Sequence, residues 1–289
     1  MRHNRQGGGP SRASRSRGSS APQSAPPARP PAAPASRPGT RRDQPQGQHW
    51  LYGKHAVVAA LLNPARHVAR LLAMTEAAQR LLAELQHEPR ARSIVETAEI
   101  VRREEIARRL PADAVHQGLA ALAAPLPETF LTDLIGAADD QSVIVVLDQV
   151  TDPHNVGAIL RSADAFGAAG IVSTDRHTAE ETGTLAKAAS GALERIPLVR
   201  VPNLARALRE LKEGGFWIAG LSERGTEALA AAKLSGRIAI VLGAEGDGMR
   251  HLTEQHCDLL LRLPMRGAMP SLNVSNAAAI ALYELARSR

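Results

Sequence analysis

From Ser142 to Asp148 the chain reads SVIVVLD, an unbroken apolar run between two polar residues. A strand with one wet face alternates, so a continuous run predicts a parallel strand buried on both faces. The period then switches. NVGAILRSADAFGA (155–168) has helical spacing, and GIVST (170–174) returns to a short strand. The alternation continues with a helix over GTLAKAASGALE (183–194) and a strand over IPLVRV (196–201). A helix over NLARALRELKEG (203–214) and a strand over FWIAGLS (216–222) follow. RIAIVLGAEG (237–246) is a strand running into glycines, HLTEQHC (251–257) a short helix and DLLLRLP (258–264) a strand. Ala277, Ile280, Ala281 and Leu285 share one face of a closing helix. Strands alternating with helices predict an α/β fold with a parallel sheet covered on both sides.

Upstream, YGKHAVVAALL (52–62) predicts a helix and HVARLLAM (67–74) a strand. TEAAQRLLAELQ (75–86) predicts a helix capped by Thr75, ARSIVETA (91–98) a weak strand, and REEIARRL (103–110) a short helix. HQGLAALAAP (116–125) is a final strand. This makes a small α/β unit over 49–125. Pro125 and Pro127 mark a linker, and ETFLTDLIGAA (128–138) predicts a bridging helix within 126–140. The larger α/β unit occupies 141–289, and no internal repeat is visible.

Charge separates the first 48 residues from the rest. They hold nine arginines and one acid, Asp43, for +8; the 289-residue chain totals +6, so residues 49–289 sum to −2. The segment 1–48 is rich in Pro, Ala, Ser, Gly and Arg and has almost no large apolar residue, so a disordered tail is expected. It reads as a solubilising leader or as an arm that neutralises phosphates and weakens with salt. Aromatic residues make up 2% of the chain, which weighs against a sheet of exposed rings stacking unpaired bases. Cys257 is the lone cysteine, so no internal disulfide forms and a cytoplasmic setting is expected. No apolar run approaches ~18 residues, so no membrane span is expected. The basic N-terminus lacks an apolar core, so no secretory signal is expected either.

In a parallel sheet, ligands sit beyond the C-terminal ends of strands, and three of those ends carry unusual residues. In LDQVTDPHNVGAILRSADAFG (147–167), Pro153 breaks any preceding helix and Asn155 stands where the next one starts. Asn155 reads either as a helix cap or as a ligand-facing amide. Arg161, two turns on between Leu160 and Ala163, reads as a guanidinium in need of a partner or a phosphate, or as a solvent-facing charge. In IVLGAEGDGMR (240–250), Gly243, Gly246 and Gly248 let the backbone turn tightly and approach a ligand. Their spacing is not the Gly-x-Gly-x-x-Gly of dinucleotide sites, and no phosphate-loop motif occurs, which weighs against a nucleotide-dependent oxidoreductase. Glu245 inside this loop reads as a turn holder or as a site group. LPMRGAMPSLNVSN (263–276) is irregular and brings Ser271, Asn273, Ser275 and Asn276 to a helix start where one cap would serve. His251, His256 and Cys257 lack tetrahedral spacing, so no metal is expected.

DPHNVGAILRSADAFGAAGIV, VLGAEGDGM and LPMRGAMPSLNVSNAAAIALYE together resemble the three ordered motifs of the SpoU/TrmH-type RNA ribose 2′-O-methyltransferases, of the SPOUT superfamily. LAKAASGALERIPLVRV resembles the segment between motifs in that family. Residues 49–122, opening WLYGKHAVVAALL and closing AVHQGLAA, resemble its small substrate-recognition domain. The resemblance covers nearly everything after the tail. It makes 49–125 an RNA substrate-binding domain and 141–289 a methyltransferase domain with a deep trefoil knot. Pattern reading alone suggests no knot, because knots are nearly absent from proteins. It implies S-adenosylmethionine, bent and held largely by main-chain groups around Leu242, Gly243, Ala244, Gly246, Gly248, Leu263, Met265, Ser271 and Leu272. The implied reaction is 2′-O-methylation of a ribose, with a 23S ribosomal RNA guanosine as expected substrate and transfer RNA as the alternative. A non-catalytic RNA-binding ribosome assembly factor is the rival from another class, and predicts motif decay. Asn155, Arg161, Glu245, Ser271 and Asn273 match the family's active-site positions, with Arg161 as base or as phosphate clamp. A homodimer through the C-terminal domain is also implied, with Arg161 reaching the partner's site.

Overall fold

The computed structural model describes residues 47–175, 182–268 and 271–288. The tail expected over 1–48 lies outside the described residues except for its last two.

The first unit holds β1 (His49–Tyr52), α1 (Lys54–Leu62), β2 (Val68–Ala73), α2 (Thr75–Glu84), α3 (Pro89–Glu96), β3 (Glu99–Ile100), α4 (Arg103–Ala107) and β4 (Leu119–Ala123). Its sheet runs β1-β4-β2-β3, antiparallel except for the β2–β3 pair. Three sequence expectations change here. Residues 91–98 are not a strand: Pro89 starts a helix, and Ala91 and Val95, four apart, bury one side of it. Thr75 is not a cap but the first residue of α2, whose N-cap is Met74 with no side-chain bond. The helix expected over 52–62 starts only at Lys54, because His49–Tyr52 pairs with β4 and Gly53 turns the chain at φ +83°.

After α5 (Leu131–Ala137) the larger unit follows as β5 (Val143–Asp148), α6 (Pro153–Ala165), β6 (Gly170–Thr174), α7 (Gly183–Ala189), β7 (Leu198–Val201), α8 (Leu204–Glu213) and β8 (Trp217–Leu221). It ends with β9 (Glu227–Ala228), β10 (Ile238–Gly243), α9 (His251–His256), β11 (Leu259–Arg262) and α10 (Val274–Arg287). The seven strands lie in the order β7-β6-β5-β10-β8-β11-β9, and every pairing is parallel. The reason is visible along β5. Val143, Val145 and Leu147 join one apolar cluster with α6, α7 and α10, while Ile144 and Val146 join another with α5 and α8. Each such side chain contributes roughly 1.5–3 kcal/mol by leaving water. α8 supplies its layer through Leu204, Ala207, Leu208 and Leu211 at helical spacing, and Asn203 caps it by accepting from the Arg206 amide at 3.0 Å. The continuous helix expected over 183–194 breaks: Ser190 and Gly191 have φ 54° and 93°, and a 3-10 turn Ala192–Glu194 follows.

The two sheets share core. Leu51, Ala56, Ala60 and Ala123 of the first unit belong to the cluster of α6, α7 and α10. A buried ion pair crosses the same seam. Arg66, fully buried, donates from Nε and Nη2 to Glu194, at 2.7 Å for the shortest contact, and from Nη1 to the Ala124 carbonyl at 2.7 Å. Asn63 donates to Glu194 Oε2 at 2.8 Å. The fork of donors meets both carboxylate oxygens, which is the geometry that offsets burial of two charges. Arg66→Ala leaves Glu194 buried without its cation. Thermal or denaturant melts should then show a loss of about 3–5 kcal/mol; a loss below ~1 kcal/mol would mean that water already screens the pair.

Candidate functional site

The C-terminal ends of β5 and β10 lie side by side, with Asp148 opposite Gly243. Beyond Gly243 the chain reverses: the Ala244 amide donates to the Gly248 carbonyl at 3.1 Å, and the Gly248 amide returns to the Ala244 carbonyl at 3.0 Å. Gly246 and Gly248 sit at φ +86° and +69°, where side chains are strained. At Gly243 the constraint is space, since a Cβ there would stand 2.1 Å from the Gly248 carbonyl carbon. The reversal projects Glu245 toward the starts of α6 and α10.

Three of the five expected active-site residues meet there. Glu245 Oε1 accepts from Asn155 Nδ2 at 3.3 Å, from the Val274 amide at 3.2 Å, and from Asn273 Nδ2. Asn273 Nδ2 also donates to Asn155 Oδ1 at 3.0 Å. The orientation of the Asn273 amide follows from its other end: Oδ1 caps α10, accepting from the Ser275 amide at 2.9 Å and the Ser275 hydroxyl at 2.6 Å. One asparagine therefore caps a helix and closes the cluster, and Glu245 adds a negative charge at the positive end of α10. Asn155 is not a cap. Asp152 caps α6, accepting from the His154 amide at 3.0 Å, and Pro153 is the first helical residue. The carboxylate and the Asn273 side chain stay exposed, while Asn155 is half-buried.

The other two make no hydrogen bond to this trio among the described residues. Arg161 is six residues beyond Asn155, roughly 240° further round the helix. It is exposed and has no hydrogen bond or ion pair among the described residues, so it is not a guanidinium trapped in an apolar layer. Ser271 is exposed and also without a hydrogen bond among the described residues. Of the expected cofactor positions, Leu242 points its side chain into the core, Leu263 packs against the same core, and Met265 and Leu272 are exposed at 40% and 37%.

Asp148 and Arg250 were not singled out in the sequence. Asp148 is fully buried and accepts from the Arg250 amide at 2.8 Å and Arg250 Nε at 2.7 Å, which pins the far end of the glycine loop to β5. The signal was an acid ending a strand otherwise wholly buried, since such a carboxylate needs a partner. Gln149, next in line, holds φ 61° without being glycine. Cys257 is not a nucleophile: burial pushes its thiol up to about 12. Among the described residues, no group of three His, Cys, Asp or Glu is placed to hold a metal ion. No helix there is long and apolar enough to cross a membrane.

The model of the SpoU rRNA methylase family matches residues 142–283. The 23S rRNA (guanosine-2′-O-)-methyltransferase RlmB of Vibrio cholerae is 43% identical over 247 residues, covering 83% of this chain and 96% of that protein. An uncharacterized tRNA/rRNA methyltransferase of Synechocystis is 44% identical over 83% of this chain, which spans 62% of its length. Among solved structures, the SpoU methyltransferase AviRb of Streptomyces viridochromogenes, in complex with AdoMet, superposes with a TM-score of 0.68 at 24% identity. It covers 83% of this chain and 90% of its own, and shares the fold.

Gly243→Ala forces the loop off its own backbone. It should lower stability by about 2 kcal/mol or more, read as a lower melting temperature; an unchanged melt would mean that the loop does not pass where it is described.

Proposed function

The chain belongs to the SpoU rRNA methylase family, and from that premise we propose that it transfers a methyl group from S-adenosylmethionine to the 2′-hydroxyl of a guanosine ribose in 23S ribosomal RNA. The observation that carries this reading is the meeting of Asn155, Glu245 and Asn273, from three separate motifs, beyond the ends of β5 and β10. A chain with decayed motifs has no reason to keep an exposed polar cluster in register.

The glycine loop supports the fit of the cofactor. A Cβ built at Gly246 or Gly248 would meet nothing within 4 Å, so open space faces a backbone free to be approached. Met265 and Leu272 add exposed apolar surface to the neighbouring loop. In this reading Leu242, Gly243, Ala244, Gly246, Gly248, Leu263, Met265, Ser271 and Leu272 hold the cofactor, the buried Leu242 through its backbone. When bound, it supplies a methyl group already attached to a sulfonium leaving group.

The chain's own residues then orient and neutralise. Glu245, with three donors on one oxygen, fixes the two amides so that they face the ribose. Ser271 keeps a free hydroxyl for ribose or cofactor. A guanidinium is a poor base, so the task of Arg161 is to clamp an RNA phosphate and stabilise charge forming on the 2′-oxygen. The trio and Arg161 lie on different sides of α6, which fits a homodimer in which Arg161 serves the partner's site. Exposed Ile280 and Tyr283 on α10 offer apolar surface for such a contact.

We extend the reading to the rest of the chain. Residues 49–125 recognise RNA, 126–140 connect, 141–289 form the transferase domain with a trefoil knot, and the basic arm 1–48 adds salt-sensitive attraction to phosphates. The site is cytoplasmic, where ribosomal RNA is made. Close backbone passage supports the threading: a Cβ at Gly225 would stand 2.4 Å from the Leu261 carbonyl carbon.

Mapping of 2′-O-methyl groups in RNA from cells with and without the gene should find one 23S guanosine that loses its mark. Loss confined to transfer RNA, or no loss at all, would overturn the substrate. Arg161→Ala should cut kcat about hundredfold or more while calorimetry finds cofactor affinity unchanged; a normal single-turnover rate would remove Arg161 from the site. In a dimer with shared sites, mixing inactive Arg161→Ala and Asn273→Ala proteins restores activity through one intact site per heterodimer. No recovery after confirmed subunit exchange would leave Arg161 acting within its own subunit.

A further inference from the structure

We propose that Lys187 of α7, with Arg103 and Arg109 from the first unit, forms a second RNA contact, a cationic seam that grips the phosphodiester backbone of the RNA being methylated. This rests on the methyltransferase reading and adds a binding surface away from the Asn155–Glu245–Asn273 cluster.

Lys187 is the informative residue. Its Nζ donates to Gln117 Oε1 at 2.9 Å, a neutral oxygen already shared with the Lys54 amide at 3.1 Å. It has no ion pair among the described residues. Burial lowers its pKa. An ammonium that loses water calls for an anion, and the fold supplies only an amide. Gln117 is held in the left-handed region, φ 55°, which costs of order 1 kcal/mol.

Two more cations flank this point. His116 is buried, and burial, helped by the charge of Arg103, pushes its imidazole below the usual histidine range. Arg103 is therefore within electrostatic reach of the residue preceding Gln117. On the other flank, the Arg109 guanidinium lies 5.6 Å from the Trp50 ring centroid, a stack that orients a cation without neutralising it. Trp50 belongs to β1, and β1 abuts α7: a Cβ at Gly183 would stand 2.2 Å from the Trp50 carbonyl oxygen. Lys187 of α7 and Arg109 over β1 thus stand on the two elements of one seam, with Arg103 in electrostatic reach of His116 near it. Neither arginine has an ion pair among the described residues. Glu99, the acid that feels Arg109, is bound by Arg70 at 2.8 Å. Glu104 and Glu105 share the helix with Arg103, but Arg102 and Arg108 beside them are exposed cations too.

The test uses the full chain, a transcript of 23S ribosomal RNA and a range of salt. Lys187→Gln and Arg103→Gln should each weaken binding about tenfold at low salt and lower the slope of log affinity against log salt by about 0.7 to 0.9. The loss should fall on KM for RNA and not on kcat, with the melting temperature unchanged. Gln117→Ala keeps the cation and should keep the slope. Folded Lys187→Gln with wild-type affinity and slope overturns the proposal, as does Gln117→Ala reproducing the full loss. A wild-type protein that does not methylate the transcript sinks the methyltransferase reading. Methylation with unchanged slopes in the variants sinks this inference alone.

Discussion

One carboxylate oxygen, Oε1 of Glu245, joins the glycine loop, the first turn of α6 and the start of α10, across sequence separations of 90 and 28 residues. It can stand there only because Gly243 has no side chain to collide with Gly248, and because Asp148 holds Arg250 at the other end of the loop. The cap of α10 and the polar cluster are one hydrogen-bond network, since Asn273 uses its oxygen for the helix and its nitrogen for Glu245. Stability of the last helix and geometry of the site are therefore coupled. A ligand that enters must keep these bonds or replace them, because an amide stripped of its partner costs about 1–3 kcal/mol.

The parallel sheet was legible because β5 is apolar at every interior position, and α8 because its four buried residues repeat at helical spacing. Local pattern failed where tertiary context decided. Residues 91–98 contain apolar positions compatible with a strand, yet Pro89 and the pair Ala91 and Val95 make a helix. Asn155 looked equally like a cap because the true cap, Asp152, precedes a proline that reads as a breaker but acts as a first helical residue. The break at Ser190 and Gly191 hides inside a favourable helical sequence. Within the site, the glycine spacing advertised a tight turn, whereas the meeting of Asn155 with Asn273 spans 118 residues and no local rule reports it. Arg161 keeps both of its sequence readings: Leu160 and Ala163 lie on another face of the helix and leave the guanidinium exposed.

The joint between the two sheets was the least legible feature. Arg66 and Glu194 are 128 residues apart, and each reads alone as an ordinary surface charge. Buried together they are weak as a source of stability but demanding in geometry. Arg90 reinforces them, donating to the carbonyls of Leu61, Asn63 and Arg66. Shared core and a forked ion pair tie the two sheets together. Surfaces on both sides of the seam then meet a ligand already arranged, so less entropy is lost on binding.

Charge distribution gives that rigidity its purpose. Residues 49–289 carry a net −2, so the folded part has no overall attraction for a polyanion, while the first 48 residues carry +8. A near-neutral body can favour an RNA only by the positions of a few cations and hydrogen-bonding groups. Those positions carry information only if the distance from the seam to the Glu245 cluster is fixed, which is the condition the buried Arg66–Glu194 pair helps to meet.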